Sequence, residues 1–257
     1  MDNGGPFSSM KWLGRVAPRS SLDVQGSRLS VGFETLDRAM FDPEPIYPHL
    51  AALGVKWARL QTGWGRTERE RGVYDFDWLD SVVDALLGIG IQPFFNVGYG
   101  NQLYVPEAPA ADAVGWPPIF HEEAREAWLR YVDALVSHFG ERVSHYEIWN
   151  EPDIRVFWKP HPPDPRVYTE LVKITAPVIR KRRPGAIVIG GVIAHGHKAD
   201  GMDFLEACLQ EGMADAIDVL SFHPYEQVPE AENGKGFAAM RAVLASHGAD
   251  LGLWQGE

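Results

Sequence analysis

A single cysteine, Cys208, among 257 residues leaves no intrachain disulfide to hold this fold together. Its neighbours Phe204, Leu205 and Leu209 put it on the apolar face of a helix, where a thiol serves as a small hydrophobe. Long apolar runs are also missing. None approaches the roughly 20 residues that span a bilayer, and no basic segment followed by an apolar one opens the chain, so a cytoplasmic protein without membrane attachment is expected. Basic residues are in deficit, 24 Lys and Arg against 35 Asp and Glu, for a formal charge of −11. Binding a polyanion requires clustered cations that displace its counterions, which argues against nucleic acid or anionic lipid as partner. The basic run Arg180, Lys181, Arg182, Arg183 closes a helix, where cations complement the dipole. A glycine-rich dinucleotide fingerprint is absent as well: the first strand is followed by Glu34 and Thr35, and Gly88 and Gly90 mark a helix end.

What is present is an alternation. Hydrophobic residues make up 45% of the chain, enough to fill a large core. They fall in short β-branched or aromatic runs at 29–33, 56–61, 91–97, 144–149, 186–192, 218–223 and 251–255. Between the runs lie amphipathic stretches. Trp78, Leu79, Val82, Val83, Leu86 and Leu87 share one helical face; Trp128, Tyr131, Val132, Leu135 and Phe139 share another; Tyr168, Leu171, Val172, Thr175 and Ile179 a third. Strand followed by helix, repeated this often, predicts an α/β fold of the (β/α)8 TIM-barrel type, truncated after strand 7 because the sequence reaches only Glu257. Residues 1–28 read as an irregular lead-in and 29–257 as one barrel domain lacking strand 8.

In such a barrel the working residues gather where strands end and βα loops begin. Glu34, Arg59, Trp64, Asn96, Tyr99, Asn101, Asn150, Glu151, His223, Tyr225 and Glu257 all fall at those points. Charges beside a low-dielectric core cost free energy, so their shared register points to function. Glu151 closes the fourth strand after Asn150 and before Pro152, and Glu257 closes the seventh after Gly256. Alternation sends Glu147, Trp149 and Glu151 to one face, so Glu151 needs a distorted strand end to point correctly. Two carboxylates facing one cavity from separate strands are what glycosidic cleavage requires, one to protonate the leaving oxygen and one to attack the anomeric carbon.

At these residues the chain resembles clan A of the glycoside hydrolases, and family 39 most, with family 5 second. Asn150 and Glu151 match the clan's strand-four asparagine and acid/base glutamate, Glu257 its strand-seven nucleophile, Arg59 its strand-two arginine, and His223 with Tyr225 its strand-six pair. The resemblance implies a retaining glycosidase acting on a carbohydrate by double displacement, with no cofactor and no metal. Within it, Arg59 and Tyr225 would hydrogen-bond Glu257, while Glu151 would keep its proton beside that negative charge. Asn150 would bind the sugar 2-hydroxyl and Glu34 a hydroxyl at the non-reducing side; Asn96 and His223 would complete the substrate-binding set. Trp64, ranked first, with Trp116 and Trp158 would offer faces for sugar stacking.

Two other readings compete. A catalytically inactive sugar-binding barrel keeps the cleft without turnover. A metal-dependent barrel hydrolase would use the His195 and His197 pair with Asp200 and His223, but leaves both glutamates unexplained. Glycosidase activity should therefore survive exhaustive chelation; loss on chelation with recovery on adding zinc would favour the histidine reading.

Overall fold

Every expected apolar run becomes a strand, displaced by no more than a residue or two at its ends. A computed structural model of the chain describes residues 11–194, 198–225 and 229–257. The strands are β1 (Ser30–Gly32), β2 (Trp57–Gln61), β3 (Gln92–Val97), β4 (His145–Ile148), β5 (Ile187–Ile193), β6 (Val219–Phe222) and β7 (Gly252–Gln255). They pair in parallel in chain order, β1 to β7, the arrangement of a (β/α)8 barrel as far as its seventh strand. The helices are α1 (Tyr47–Ala51), α2 (Trp64–Thr67), α3 (Asp77–Gly88), α4 (Glu122–Phe139), α5 (Pro165–Arg182), α6 (Ala199–Gln210) and α7 (Pro229–Ser246). Among the described residues no helix is long and apolar enough to cross a membrane.

The helices cover the outer face of the sheet through the stripes that their periodicity sets. In α4, Trp128, Tyr131, Val132, Leu135 and Phe139 are buried, and in α5 Tyr168, Leu171, Val172, Thr175 and Ile179 are. Asp164 starts α5 by accepting hydrogen bonds from the backbone N–H of Arg166 (2.9 Å) and Val167 (3.4 Å), and Pro165 occupies the first turn, where its missing N–H costs nothing. Burial on both faces explains why β3 to β6 read as nearly continuous apolar runs.

Residues facing the barrel axis follow the two-residue period of a strand and form layers. The lowest layer is aromatic: Trp254 stacks on Phe94 (5.0 Å between ring centroids), Trp57 meets Trp254 edge-on (5.8 Å), and His145 meets Trp57 (4.7 Å). Two positions further along, the same strands present Arg59, Asn96, Glu147 and Gly256. An apolar floor thus lies under a polar layer.

The lead-in is partly bound to this frame, since Ser21 is buried and its carbonyl accepts from Lys56 Nζ at 3.0 Å. Above the strands, the loops after β3 and β4 cross at Gly115, whose carbonyl accepts from the Lys159 N–H at 2.7 Å. Gly115 has φ +78°, and a Cβ there would lie 2.1 Å from the Val156 carbonyl oxygen. Gly115→Ala should accordingly destabilise the protein by about 2–4 kcal/mol in denaturant unfolding, from backbone strain plus a clash with main chain that cannot swing away. Gly88→Ala, with nothing within 4 Å and an ordinary helical φ, should leave stability unchanged or slightly raised.

Candidate active site

Arg59 has no solvent exposure and spends its guanidinium on four side chains. Nε donates to Glu147 Oε2 (2.6 Å), Nη1 to Glu34 Oε1 (2.5 Å) and to Glu257 Oε1, and Nη2 to Asn150 Oδ1 (2.7 Å). Burial alone would lower its pKa, but Glu147, Glu34 and Glu257 outweigh that and hold it well above its ordinary value. A planar fork with several fixed donors can align three carboxylates at once, which a lysine ammonium cannot.

Asn96 lies beneath this fork. Its Nδ2 donates to Glu147 Oε2 (3.0 Å) and to the Trp149 carbonyl (2.5 Å), and the residue is fully buried. It braces the site rather than lining the cleft, which corrects its expected place among the substrate-binding residues. Asn150 differs: Oδ1 is taken by Arg59, while Nδ2 has no partner among the described residues and is free to donate to a ligand.

The fourth strand ends in strained backbone. Trp149 and Glu151 adopt φ of +69° and +42°, and Glu151 N–H donates to the Val192 carbonyl (3.0 Å), itself at φ +50° beside the irregularity in β5. Left-handed conformations at non-glycine residues cost about 1–3 kcal/mol each and persist only where the surroundings impose them. Their result here is the distortion that the alternation demanded, with Glu151 turned to the Glu257 side. His223 Nδ1 lies 2.9 Å from Glu151 Oε1 and 3.4 Å from Glu257 Oε2, and Tyr225 OH donates to the same Glu257 oxygen. One oxygen of each glutamate and a His223 nitrogen all lie within 4.8 Å of one another.

The two outer carboxylates of the Arg59 fork differ electrostatically. Burial pushes Glu257 up, but the Arg59 charge and the hydrogen bonds from Tyr225 and Arg59 work against it, and the carboxyl is held below the usual carboxylate value. Glu34 goes the other way: burial, with Glu257 and Glu147 adding to it, exceeds the help from Arg59 and raises its pKa. Glu34 is also held by Gln61, whose Nε2 donates to Glu34 Oε2 and whose Oε1 accepts from Thr35 N–H (3.1 Å) and Arg38 Nη2 (2.9 Å). Tyr99 joins this group through Gln61 Nε2 at 3.3 Å.

Glu34, Arg59, Asn150, Glu151, His223, Tyr225 and Glu257 therefore form one connected cluster. Trp64 does not belong to it. Fully buried, it is stacked between Tyr104 (5.4 Å) and Tyr131 (5.5 Å) with Nε1 donating to Glu68 (2.5 Å), so no face is left for a sugar. Trp158 is likewise buried, against Trp149 and Tyr168, and Asn101 serves the loop after β3 by bonding the Glu68 carbonyl. His195 and His197 lie outside the described residues, and Asp200 stands on α6. Glu147 and Gln61 are site residues that reading strand ends alone misses; each shares its strand's inward face with a recognised one.

Residues 58–247 match the family model of glycosyl hydrolases family 39. The chain belongs to that family. Family 39 is a member of clan A of the glycoside hydrolases. The family 39 chain is 29% identical over 166 residues to a β-xylosidase of Geobacillus stearothermophilus, covering 59% of this chain and 31% of that protein. It is 26% identical over 201 residues to a β-xylosidase of Caldicellulosiruptor saccharolyticus, covering 67% and 37%. It thus spans about a third of the length of these curated relatives. In fold it is similar to a family 39 β-xylosidase from Caulobacter crescentus, with TM-score 0.67 and 22% identity over 93% of this chain and 54% of that one. Xylanase 10B of Thermotoga maritima is similar at TM-score 0.58 and 15% identity, covering 88% and 68%.

The opposed shifts of Glu34 and Glu257 give a stability signature for this family 39 site. A raised pKa in the folded state means that stability is full below the unfolded pKa and falls as pH rises through the folded one. Glu34→Gln, which mimics the protonated form, should raise the melting temperature near pH 7, and the gain should shrink towards pH 4. Glu257, with its lowered pKa, contributes stability above the unfolded pKa that is lost as pH falls through the folded value, so Glu257→Gln should cost most at neutral pH and least in acid. Thermal melts of both variants across this range provide the check.

Proposed function

We propose that the protein is a retaining glycoside hydrolase in which Glu257 is the nucleophile and Glu151 the acid/base. The observation that carries this reading is the pairing of two glutamates across one cavity in unlike surroundings. Glu257 is kept ionised by Arg59 and Tyr225, whereas Glu151 meets no arginine among the described residues and rests on His223. A separation within 4.8 Å between the nearest atoms suits direct attack on the anomeric carbon better than the wider spacing that leaves room for a water.

In the first step a Glu257 oxygen bonds to the anomeric carbon as the glycosidic C–O bond breaks, and the Glu151 proton passes to the departing oxygen. In the second, water attacks the anomeric carbon and gives its proton to Glu151, and the ester to Glu257 breaks. Asn150 Nδ2 donates to the sugar 2-hydroxyl, a contact that strengthens as positive charge develops on the ring. Glu34 faces the glycone as a further hydroxyl ligand. The two curated relatives make an aryl β-xyloside the first substrate to try.

The proposal separates the two glutamates experimentally. Glu151→Ala should lose on the order of a hundredfold or more in kcat/KM for substrates with poor leaving groups and much less for activated aryl glycosides, which need no protonation. Equal loss for both would reject the acid/base role. Treatment with a slow-reacting fluorinated glycoside, digestion and mass spectrometry should locate the label on the peptide carrying Glu257. Label on another carboxylate would overturn the nucleophile assignment, and sugar binding without label or turnover would favour the inactive barrel.

A further inference from the structure

The face of His223 turned away from the glutamates is as polar as the face turned towards them. His223, Ser221 and Glu147 are fully buried, yet His223 Nε2, Ser221 Oγ and Glu147 Oε1 each lack a hydrogen-bond partner among the described residues. These atoms are not scattered. A Cβ placed on Gly256 would lie 2.6 Å from Ser221 Oγ and 3.0 Å from both Glu147 Oε1 and His223 Nε2, so all three converge on the side where Gly256 carries no side chain. Unpaired buried polar atoms each cost about 1–3 kcal/mol, and three that converge on one point can offset that cost by pairing with one another, the Ser221 hydroxyl, able both to donate and to accept, standing between the other two.

We propose that Glu147 and Ser221 form a buried relay that fixes the proton of His223 on Nε2 and thereby presents a bare Nδ1 to Glu151. The direction follows from donor and acceptor inventory. Glu147 is paired with Arg59, and a carboxylate oxygen only accepts, so the groups beside Oε1 must donate to it. Ser221 can donate and accept; His223 Nε2 enters the unit as N–H. A neutral imidazole with its proton on Nε2 leaves a lone pair on Nδ1, the atom 2.9 Å from Glu151 Oε1. That lone pair can accept a hydrogen bond from Glu151 when the carboxyl carries its proton. Once that proton has passed to the departing oxygen, the bare nitrogen has no hydrogen to offer the carboxylate, so His223 leaves that Glu151 oxygen free for the incoming water. The ionisable groups facing His223 are Glu151 after β4, Glu257 after β7, Tyr225 after β6 and Glu147 within β4. Ser221, Glu147 and Gly256 are positioning residues in this scheme; none touches substrate.

The catalytic half of this inference rests on the proposed role of Glu151; the tautomer does not, and the test reads them separately. Nitrogen-15 spectra of histidine-labelled protein near neutral pH, with His223 assigned by comparison with His223→Gln, should show Nε2 protonated and Nδ1 bare. Ser221→Ala removes the central hydroxyl, and Gly256→Ala keeps all three polar groups but sets a methyl among them. Both should shift His223 towards the Nδ1-protonated form. Ser221→Ala should also reduce kcat/KM for poor leaving groups by roughly threefold to tenfold, the worth of one buried hydrogen bond, and move the basic limb of the pH profile to lower pH. Ser221→Thr should restore both. A proton on Nδ1 in the unaltered protein, or a His223 spectrum and basic limb unmoved by either substitution, would overturn the relay. The expected spectra in a protein that turns over no glycoside would leave the relay standing and reject the hydrolase reading.

Discussion

One buried positive charge organises this molecule. Arg59 sits inside the barrel with carboxylates from the ends of β1, β4 and β7 converging on it, and its removal would leave three acids in a low-dielectric interior without the one guanidinium that pairs with all of them. Geometry divides their duties. Glu147, deepest and braced by Asn96, serves as the permanent counter-ion; Glu257 takes the remaining donor capacity and is poised as a carboxylate; Glu34 is left with an incomplete share and holds its proton more tightly. The aromatic floor of Trp57, Phe94 and Trp254 lies beneath these groups.

The Glu151 side of the site is built by backbone strain instead of charge. Trp149 and Glu151 both carry positive φ, neighbours of the equally unusual Val192, and the hydrogen bond between Glu151 N–H and the Val192 carbonyl joins the two distorted strand ends. Buried Trp149 between Tyr99, Trp128 and Trp158 supplies the packing that holds this arrangement. The same distortion sets Glu151 on His223 and away from Arg59, so the two glutamates stand in the unlike surroundings that the proposed division of roles requires.

Much of this is legible in the sequence because strands impose a strict period. Alternation alone places Arg59, Glu151 and Glu257 at the mouth of the barrel, and it demands the distortion found at Glu151. Carried one step along each strand, it also reaches Glu147 from Trp149 and Gln61 from Arg59. Trp64 departs from expectation for the opposite reason. Loop residues obey no period, and Gly63, at φ +57°, starts α2 so that the indole turns into the core between Tyr104 and Tyr131. Asn96 faces the axis as expected, but depth along the axis decides whether an inward residue meets substrate or supports those that do, and depth depends on how the strands are staggered. The left-handed φ values are illegible, since neither Trp nor Glu favours that region; neighbouring packing imposes it.

The shared donor fork of Arg59 also constrains how this sequence can change. Glu34, Glu147, Asn150 and Glu257 each meet their neighbours through the same guanidinium, so the effect of replacing one depends on which of the others remain. Losses at these positions will not add, and a second substitution can partly relieve a first by removing a surplus charge. Drift around this centre must therefore proceed by compensating pairs, with Arg59 the last to go, while exposed helix faces a few ångströms away are free to vary one residue at a time.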